Sequence, residues 1–321
     1  MSCSACLNPA CQEDQPGCIV AHIQHLTNKV AALERDRFAT NLFIHPVLNN
    51  TGSLFRYEGN VEFEQITSDG CGGFWALCDG GILHRKIELD NGIVELETAD
   101  GLTNVVRGKI GLSAFSTRDG KPFYAIDTDG NVYIFDEAKK DFVSALENSS
   151  EWKWTSSPNN PKILVRTPIY KPKISGKVRK MVTTFGGHYI LDETTLTAYS
   201  RDFSKSNIVF HTGSDVTDFF VVGDNIYIPN GLVFVCTSLG ASKDVIAAGK
   251  GPSHCVFVEN NLMVVGHNDR VSISRTDGKL AKEIRYSRST CTSDLPLQNM
   301  IVDKNGRIIL HYGGSTLLVV V

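Results

Sequence analysis

The sequence predicts an all-β chain, a β-propeller of about six blades (seven is the alternative) with a short N-terminal α-helix. Three observations carry this expectation. Turn-forming pairs recur along the chain, short apolar strands lie between them, and one strand–turn–strand unit repeats at a nearly regular period.

The turn pairs are Asp-Gly at 69–70, 79–80, 100–101, 119–120, 129–130 and 277–278, and Asn-Gly at 91–92, 230–231 and 305–306. Such pairs supply the positive φ angles of tight hairpins, so each marks a strand reversal. The repeating unit is clearest in Phe74-Trp75-Ala76-Leu77-Cys78-Asp79-Gly80-Gly81-Ile82-Leu83-His84 and in Phe123-Tyr124-Ala125-Ile126-Asp127-Thr128-Asp129-Gly130-Asn131-Val132-Tyr133. Looser copies lie at 188–192, 226–234, 262–266 and 307–311. Aligning Trp75, Tyr124, Tyr189, Tyr227, Met263 and Ile308 gives steps of 49, 65, 38, 36 and 45 residues. A four-stranded blade needs ~40–50 residues. Each copy follows an apolar strand (178–184, 216–222 and 255–258 are examples), and most precede a more polar fourth run (141–146, 207–211, 279–286).

The last unit has room for three strands before the chain stops, and 40–48 is the expected source of the missing outer strand. Joining the first and last strands in one blade removes an open sheet edge. The long 65-residue step holds 151–177, with Pro158, Pro161, Pro168 and Pro172, and reads as a basic loop over one face or a degenerate seventh blade. A β-sandwich or irregular barrel is the competing arrangement of the same strands.

The pattern over 40–321 resembles the propellers of WD-repeat and NHL-repeat proteins. The resemblance lies in period and hairpins, since no unit closes on Trp-Asp or opens on Gly-His. It implies a rigid platform that binds protein partners and, by analogy with NHL-repeat proteins, RNA as the alternative partner.

Residues 1–36 form a separate region ahead of the propeller at 37–321. Cys3, Cys6, Cys11 and Cys18 offer a structural zinc site, with a Cys-x-x-Cys pair at its start; a tail of free thiols is the other reading. His22 and His25 are either further ligands or solvated helix residues. Ile19, Ile23, Leu26, Val30 and Leu33 follow the spacing of a coiled-coil seam. Two heptads need a partner: a second copy in a homodimer, another protein's helix, or the propeller itself. The order of cysteine cluster, coil and propeller is similar to tripartite-motif proteins with NHL repeats. The RING and B-box spacings are absent, so ubiquitin-ligase activity is not implied.

Composition narrows the function. The chain has 321 residues, 42% hydrophobic and 21% charged, with net charge −3, too mild for general binding to nucleic acid or membrane. Neither a signal peptide nor a run of ~18 apolar residues is visible, so no membrane partner is expected. Scattered thiols at Cys71, Cys78, Cys236, Cys255 and Cys291 suit a reducing compartment, the cytoplasm or nucleus. No nucleophile elbow, phosphate loop, dinucleotide fingerprint or zinc-protease helix appears, so no enzyme is expected. Asp127, Asp192, Asn225 and Asp303 are candidate oxygen ligands for the least favoured reading, a metal-dependent hydrolase with calcium in its tunnel.

One stretch departs from the average. Between Trp152 and Leu191 there is no acidic residue, while Lys153, Lys162, Arg166, Lys171, Lys173, Lys177, Arg179 and Lys180 are all basic, with Trp152, Trp154 and Tyr170 among them. Aromatics among cations suit RNA or an acidic protein surface. The functional reading is a non-enzymatic interaction scaffold or adaptor that binds proteins through the propeller face and N-terminal helix. An RNA-binding propeller using 153–180 is the alternative.

Overall fold

The computed structural model describes residues 46–321, apart from 59–60, 79–80, 91–92, 99–110, 140, 145–151, 158–159, 169–173, 175, 202, 214–215, 248, 250 and 287–295. At 49, 58, 88, 90, 93–98, 152–157 and 160–168 the backbone alone is described.

The strands make six antiparallel blades. After β1 (Leu54–Glu58), the first blade is β2 (Phe63–Ser68), β3 (Gly73–Cys78), β4 (Gly81–Asp90) and β5 (Ile93–Thr98). The second is β6 (Leu112–Arg118), β7 (Lys121–Asp127), β8 (Val132–Asp136) and β9 (Asp141–Ser144). A separate hairpin follows, β10 (Trp152–Ser157) with β11 (Asn160–Pro168). The third blade is β12 (Lys180–Thr183), β13 (Gly187–Leu191), β14 (Thr195–Ser200) and β15 (Ser206–His211). The fourth is β16 (Phe220–Val222), β17 (Asn225–Asn230), β18 (Leu232–Thr237) and β19 (Ser242–Ile246). The fifth is β20 (Cys255–Glu259), β21 (Leu262–Gly266), β22 (Arg270–Arg275) and β23 (Leu280–Arg285). The sixth is β24 (Asn299–Val302), β25 (Ile308–His311) and β26 (Thr316–Val320), completed by β1.

Local sequence explains this order. Trp75, Tyr124, Tyr189, Tyr227, Met263 and Ile308 all fall on the second strand of their blade, and β3, β13, β21 and β25 are buried along their whole length. A second strand has another blade against each face, so it reads as a continuous apolar run. Outer strands meet solvent, and β15 and β19 are mostly exposed. The described turn pairs at 69–70, 119–120, 129–130, 230–231, 277–278 and 305–306 each separate consecutive strands, with glycine at positive φ.

Apolar cores fill the spaces between blades. Phe63, Ile66 and Phe74 pack with Ile301, Ile309, Leu317 and Val319 between the sixth and first. Leu191, Leu196, Phe219 and Ile226 fill the space between the third and fourth. Nearer the axis, polar bonds cross all six junctions. Gln65 pairs both its amide groups with the backbone of Phe115 (3.0 and 3.3 Å). Ser113 Oγ donates to Val178 O at 2.7 Å. Lys180 meets Asp218, whose other oxygen accepts from Val256 N at 3.3 Å. Asn268 Oδ1 accepts from Leu297 N, and Asn299 Oδ1 from Ile66 N (3.1 and 3.4 Å).

Three expectations need correction. The closing strand is Leu54–Glu58, while part of the expected 40–48 segment forms a 3-10 turn, Pro46–Asn49. Proline has no N–H to give a ladder, and Asn50 N instead closes the turn onto Val47 O at 3.3 Å. The N-terminal α-helix is not part of the observed fold: among the described residues this 3-10 turn is the sole helical element. The coiled-coil positions Ile19, Ile23, Leu26, Val30 and Leu33 lie outside the described residues, so a helix-mediated partner is not carried forward. Cys3, Cys6, Cys11 and Cys18 also lie outside them. Finally, the 151–177 region holds the β10–β11 hairpin, so it is not wholly a loop.

Candidate functional site: a groove between the third and fourth blades

In an up-and-down blade, the turns after the first and third strands emerge on the same face. On this face the third and fourth blades part, leaving a groove of about 540 Å³, within the usual size of ligand pockets. Thr184–Gly187, from the first turn of the third blade, forms one wall, and Gly223 and Asp224, from the matching turn of the fourth, form the other. Tyr189, Ala198 and Tyr199 line it from the strands, and Lys205–Asn207 and Ser238 line its outer end.

The rim is apolar. Phe185 is 73% exposed and Leu239, next to Ser238, is 84% exposed. Of the seven large exposed hydrophobics among the described residues these two are the most exposed, one lining the groove and the other directly following a residue that lines it.

Phe185 is held in place although it is not buried. Arg118, from the first turn of the second blade, puts its Cζ 5.1 Å from the centroids of both Phe123 and Phe185. Such stacking contributes about 0.5–1 kcal/mol at an exposed site. Arg201 Nε donates to Phe185 O, and Thr184 N closes the turn onto Gly187 O at 2.9 Å. Gly187 makes this turn possible, because a Cβ there would lie 2.1 Å from Tyr199 O. Gly73 holds the same place in the first blade, 2.4 Å from Arg85 O.

The groove carries opposite charges on its two blades. Lys205 and Asp224 are both exposed, and neither has an ion-pair partner among the described residues. Burial pushes the Tyr189 phenol up, against the pull of its bond to Ser238. Burial and the charge of Asp192 do the same to Tyr199. Both stay neutral hydrogen-bonding groups at physiological pH.

The sequence-predicted sites lie elsewhere. Of the basic set, Lys153, Lys162 and Arg166 lie on the β10–β11 hairpin, where Trp154 stands opposite Arg166 in the register. Lys171 and Lys173 lie outside the described residues, and Lys177 is exposed. Arg179 and Lys180 work inside the ring: Arg179 donates to Val216 O at 3.1 Å, and Lys180 meets the fully buried Asp218. Burial pushes the Asp218 carboxyl up, while the Lys180 ammonium and the Val256 and Phe219 amides pull it down. Lys180 also stands 5.5 Å from the centre of the Phe219 ring.

The four candidate oxygen ligands are spread over four blades. Asp127 Oδ1 accepts from Asp129 N and Asn131 N (2.9 and 2.8 Å). Asp192 Oδ1 accepts from Thr194 N and Thr195 N, both at 2.7 Å. Asp303 Oδ1 accepts from Asn305 N and Arg307 N (2.8 and 2.9 Å), while Asn225 Oδ1 accepts from Lys243 Nζ at 2.6 Å. Burial opposes charge on Asp127 and Asp192, but these turn bonds outweigh it and hold both carboxyls below their ordinary value. The aspartates cap their own turns. Among the described residues no cluster of His, Cys, Asp or Glu has the makings of a metal site.

Sequence reading missed Phe185 and Leu239. The available signal was a large apolar residue beside glycine at a hairpin tip, in Thr184-Phe185-Gly186-Gly187 and Ser238-Leu239-Gly240. Neither strand face claims such a residue.

No known protein family matches the chain, and no curated protein matches it. Solved structures are similar in shape at very low identity. YCF48 bound to D1 peptide is 7% identical, with a TM-score of 0.42 over 84% of this chain and 97% of that one. The WD40 β-propeller domain of Doa1 is 12% identical, with a TM-score of 0.43 over 84% and 96%. The Neurospora crassa Pan2 WD40 domain is 9% identical, with a TM-score of 0.44 over 80% and 74%. The fold assignment stands on this chain's own strand order.

Proposed function

We propose that this chain is a non-enzymatic protein-interaction scaffold that docks a partner at the groove between the third and fourth blades. The observation that carries this reading is the pair of highly exposed apolar side chains at one groove on a closed ring, Phe185 in its wall and Leu239 beside its outer end. Contiguous apolar surface on a soluble fold marks interaction sites. Phe185, pre-set against Arg118, resembles the rigid aromatic and arginine anchors that dominate binding energy. The RNA alternative loses two of its cations, since Arg179 and Lys180 bond within the ring.

The test is affinity capture from a cell extract on the immobilised full chain. Wild type is compared with a Phe185→Ser/Leu239→Ser double variant and with Leu280→Ser, which removes an exposed apolar residue from the fifth blade. Partners held by wild type and by Leu280→Ser should fall at least tenfold on the groove variant. Equal recovery on all three would refute the reading.

A further inference from the structure

We infer that the groove takes an extended peptide segment of its partner, with an acidic side chain toward Lys205 and an adjacent basic side chain toward Asp224. The inference rests on the scaffold reading and gives the chemistry of its ligand.

Charge is the first argument. Arg118 has Asp119 within 3.8 Å, Lys121 has Glu137 at 2.9 Å, and Arg201 is tied to Phe185 O. Lys205 and Asp224 are left without ion partners among the described residues, one on each blade beside the groove. A ligand of a single sign would satisfy one of them and repel the other.

Geometry is the second. In an extended chain successive side chains point to opposite sides. Two neighbouring residues of opposite charge therefore reach one toward the third blade and one toward the fourth, and the next residue along is free to lay an apolar side chain on Phe185 or Leu239. The groove also offers the exposed Ser206 to a peptide backbone. A helix of ~10–12 Å diameter turns neighbouring side chains ~100° apart, not to opposite sides.

The probe is a random dodecapeptide display library, selected on the immobilised full chain and on its Lys205→Glu and Asp224→Lys variants. Wild type should enrich sequences with adjacent acidic and basic residues beside an apolar one. Lys205→Glu should replace the acidic position with a basic one, and Asp224→Lys should do the converse. In fluorescence polarisation, a wild-type-selected peptide should bind Phe185→Ala at least tenfold more weakly. The same consensus on wild type and both swapped variants would overturn the inference. So would an absence of enriched peptides alongside groove-dependent partner capture, an outcome that leaves the scaffold reading standing. Partner capture that ignores the groove sinks the scaffold reading itself.

Discussion

The junction between the sixth and first blades and the junction between the third and fourth are built in opposite ways. At the first, β1 pairs with β26 from Leu54↔Val320 to Glu58↔Thr316, and also touches β5 in parallel at Arg56↔Ile93. Two blades thus merge into one eight-stranded sheet. The approach to β1 is pinned as well: Asn50 Nδ2 donates to Val320 O at 2.8 Å, Gly52 N donates to Val321 O at 2.8 Å, and Lys282 Nζ donates to Asn50 O. At the third–fourth junction no strand crosses. A buried ion pair and an apolar core hold it near the axis, and its rim is open. Backbone pairing closes the seam where the first and last described strands meet, and the open seam is the place that can take a ligand.

The sharpest test of this contrast is a proline on each side. Phe55→Pro removes a donor from a strand with neighbours on both edges, where proline is poorly tolerated. Opening the ring there should cost at least about 5 kcal/mol, of the order of a whole domain's stability. Asn207→Pro lies on β15, an outer strand paired on one side alone, and should cost clearly less. Urea unfolding followed by circular dichroism measures both, and equal costs would break the comparison. Next in size, Lys180→Ala leaves Asp218 buried without its ammonium and should destabilise by about 3–5 kcal/mol. Lys180→Met with Asp218→Asn should recover most of that loss. If the double variant is no better than the single, the ion pair is not what holds the axial end of the open seam.

The closed ring was legible because its signal is local and repeated. The hairpin pairs and the apolar second strands each report their own turn or burial, and all six anchors fell on second strands. The closing strand lies about ten residues beyond the expected 40–48, which was chosen only for its place ahead of the first full unit. Leu54-Phe55-Arg56-Tyr57-Glu58 is shorter, but it lies directly after Asn50, Gly52 and Ser53, which tie the chain to Val320 and Val321. The groove was not legible, because it forms from turns of different blades brought together by ring closure. Nothing near Phe185 in sequence announces Arg118, its stacking partner 67 residues earlier. Lys180 was misread for the same reason, since it looks like one more cation until Asp218 of the next blade is placed beside it.

The closed seam should also be the acid-sensitive one. His311 is fully buried near Phe63, with ring centroids 6.1 Å apart, and its Nε2 lies 3.3 Å from Gly314 O. Burial lowers its pKa to about 4, from 6.5 in an open chain. Between those values the unfolded chain binds the proton and the folded ring does not, so stability falls as pH drops from 6.5 toward 4. The shift corresponds to about 3 kcal/mol, lost across that window and flat below it. Denaturation midpoints from pH 7 to pH 4 in wild type and His311→Gln measure it. The variant should show a shallower acid slope, and parallel slopes would move the sensitivity elsewhere.

The smallest expected effect separates the two seams most directly. Phe185→Ser and Leu239→Ser remove side chains that are 73% and 84% exposed, and little burial is lost with them. Surface changes of this kind stay within about 0.5 kcal/mol. Phe185 adds its stacking on Arg118, of similar size at an exposed position. The double variant should therefore unfold within about 1 kcal/mol of wild type while failing in partner capture. A larger loss would mean that the apolar rim supports the ring, and the contrast between a structural seam and a binding seam would fail. A near-neutral result has a simple physical basis: side chains that contribute little to folding have kept their apolar surface available for another molecule.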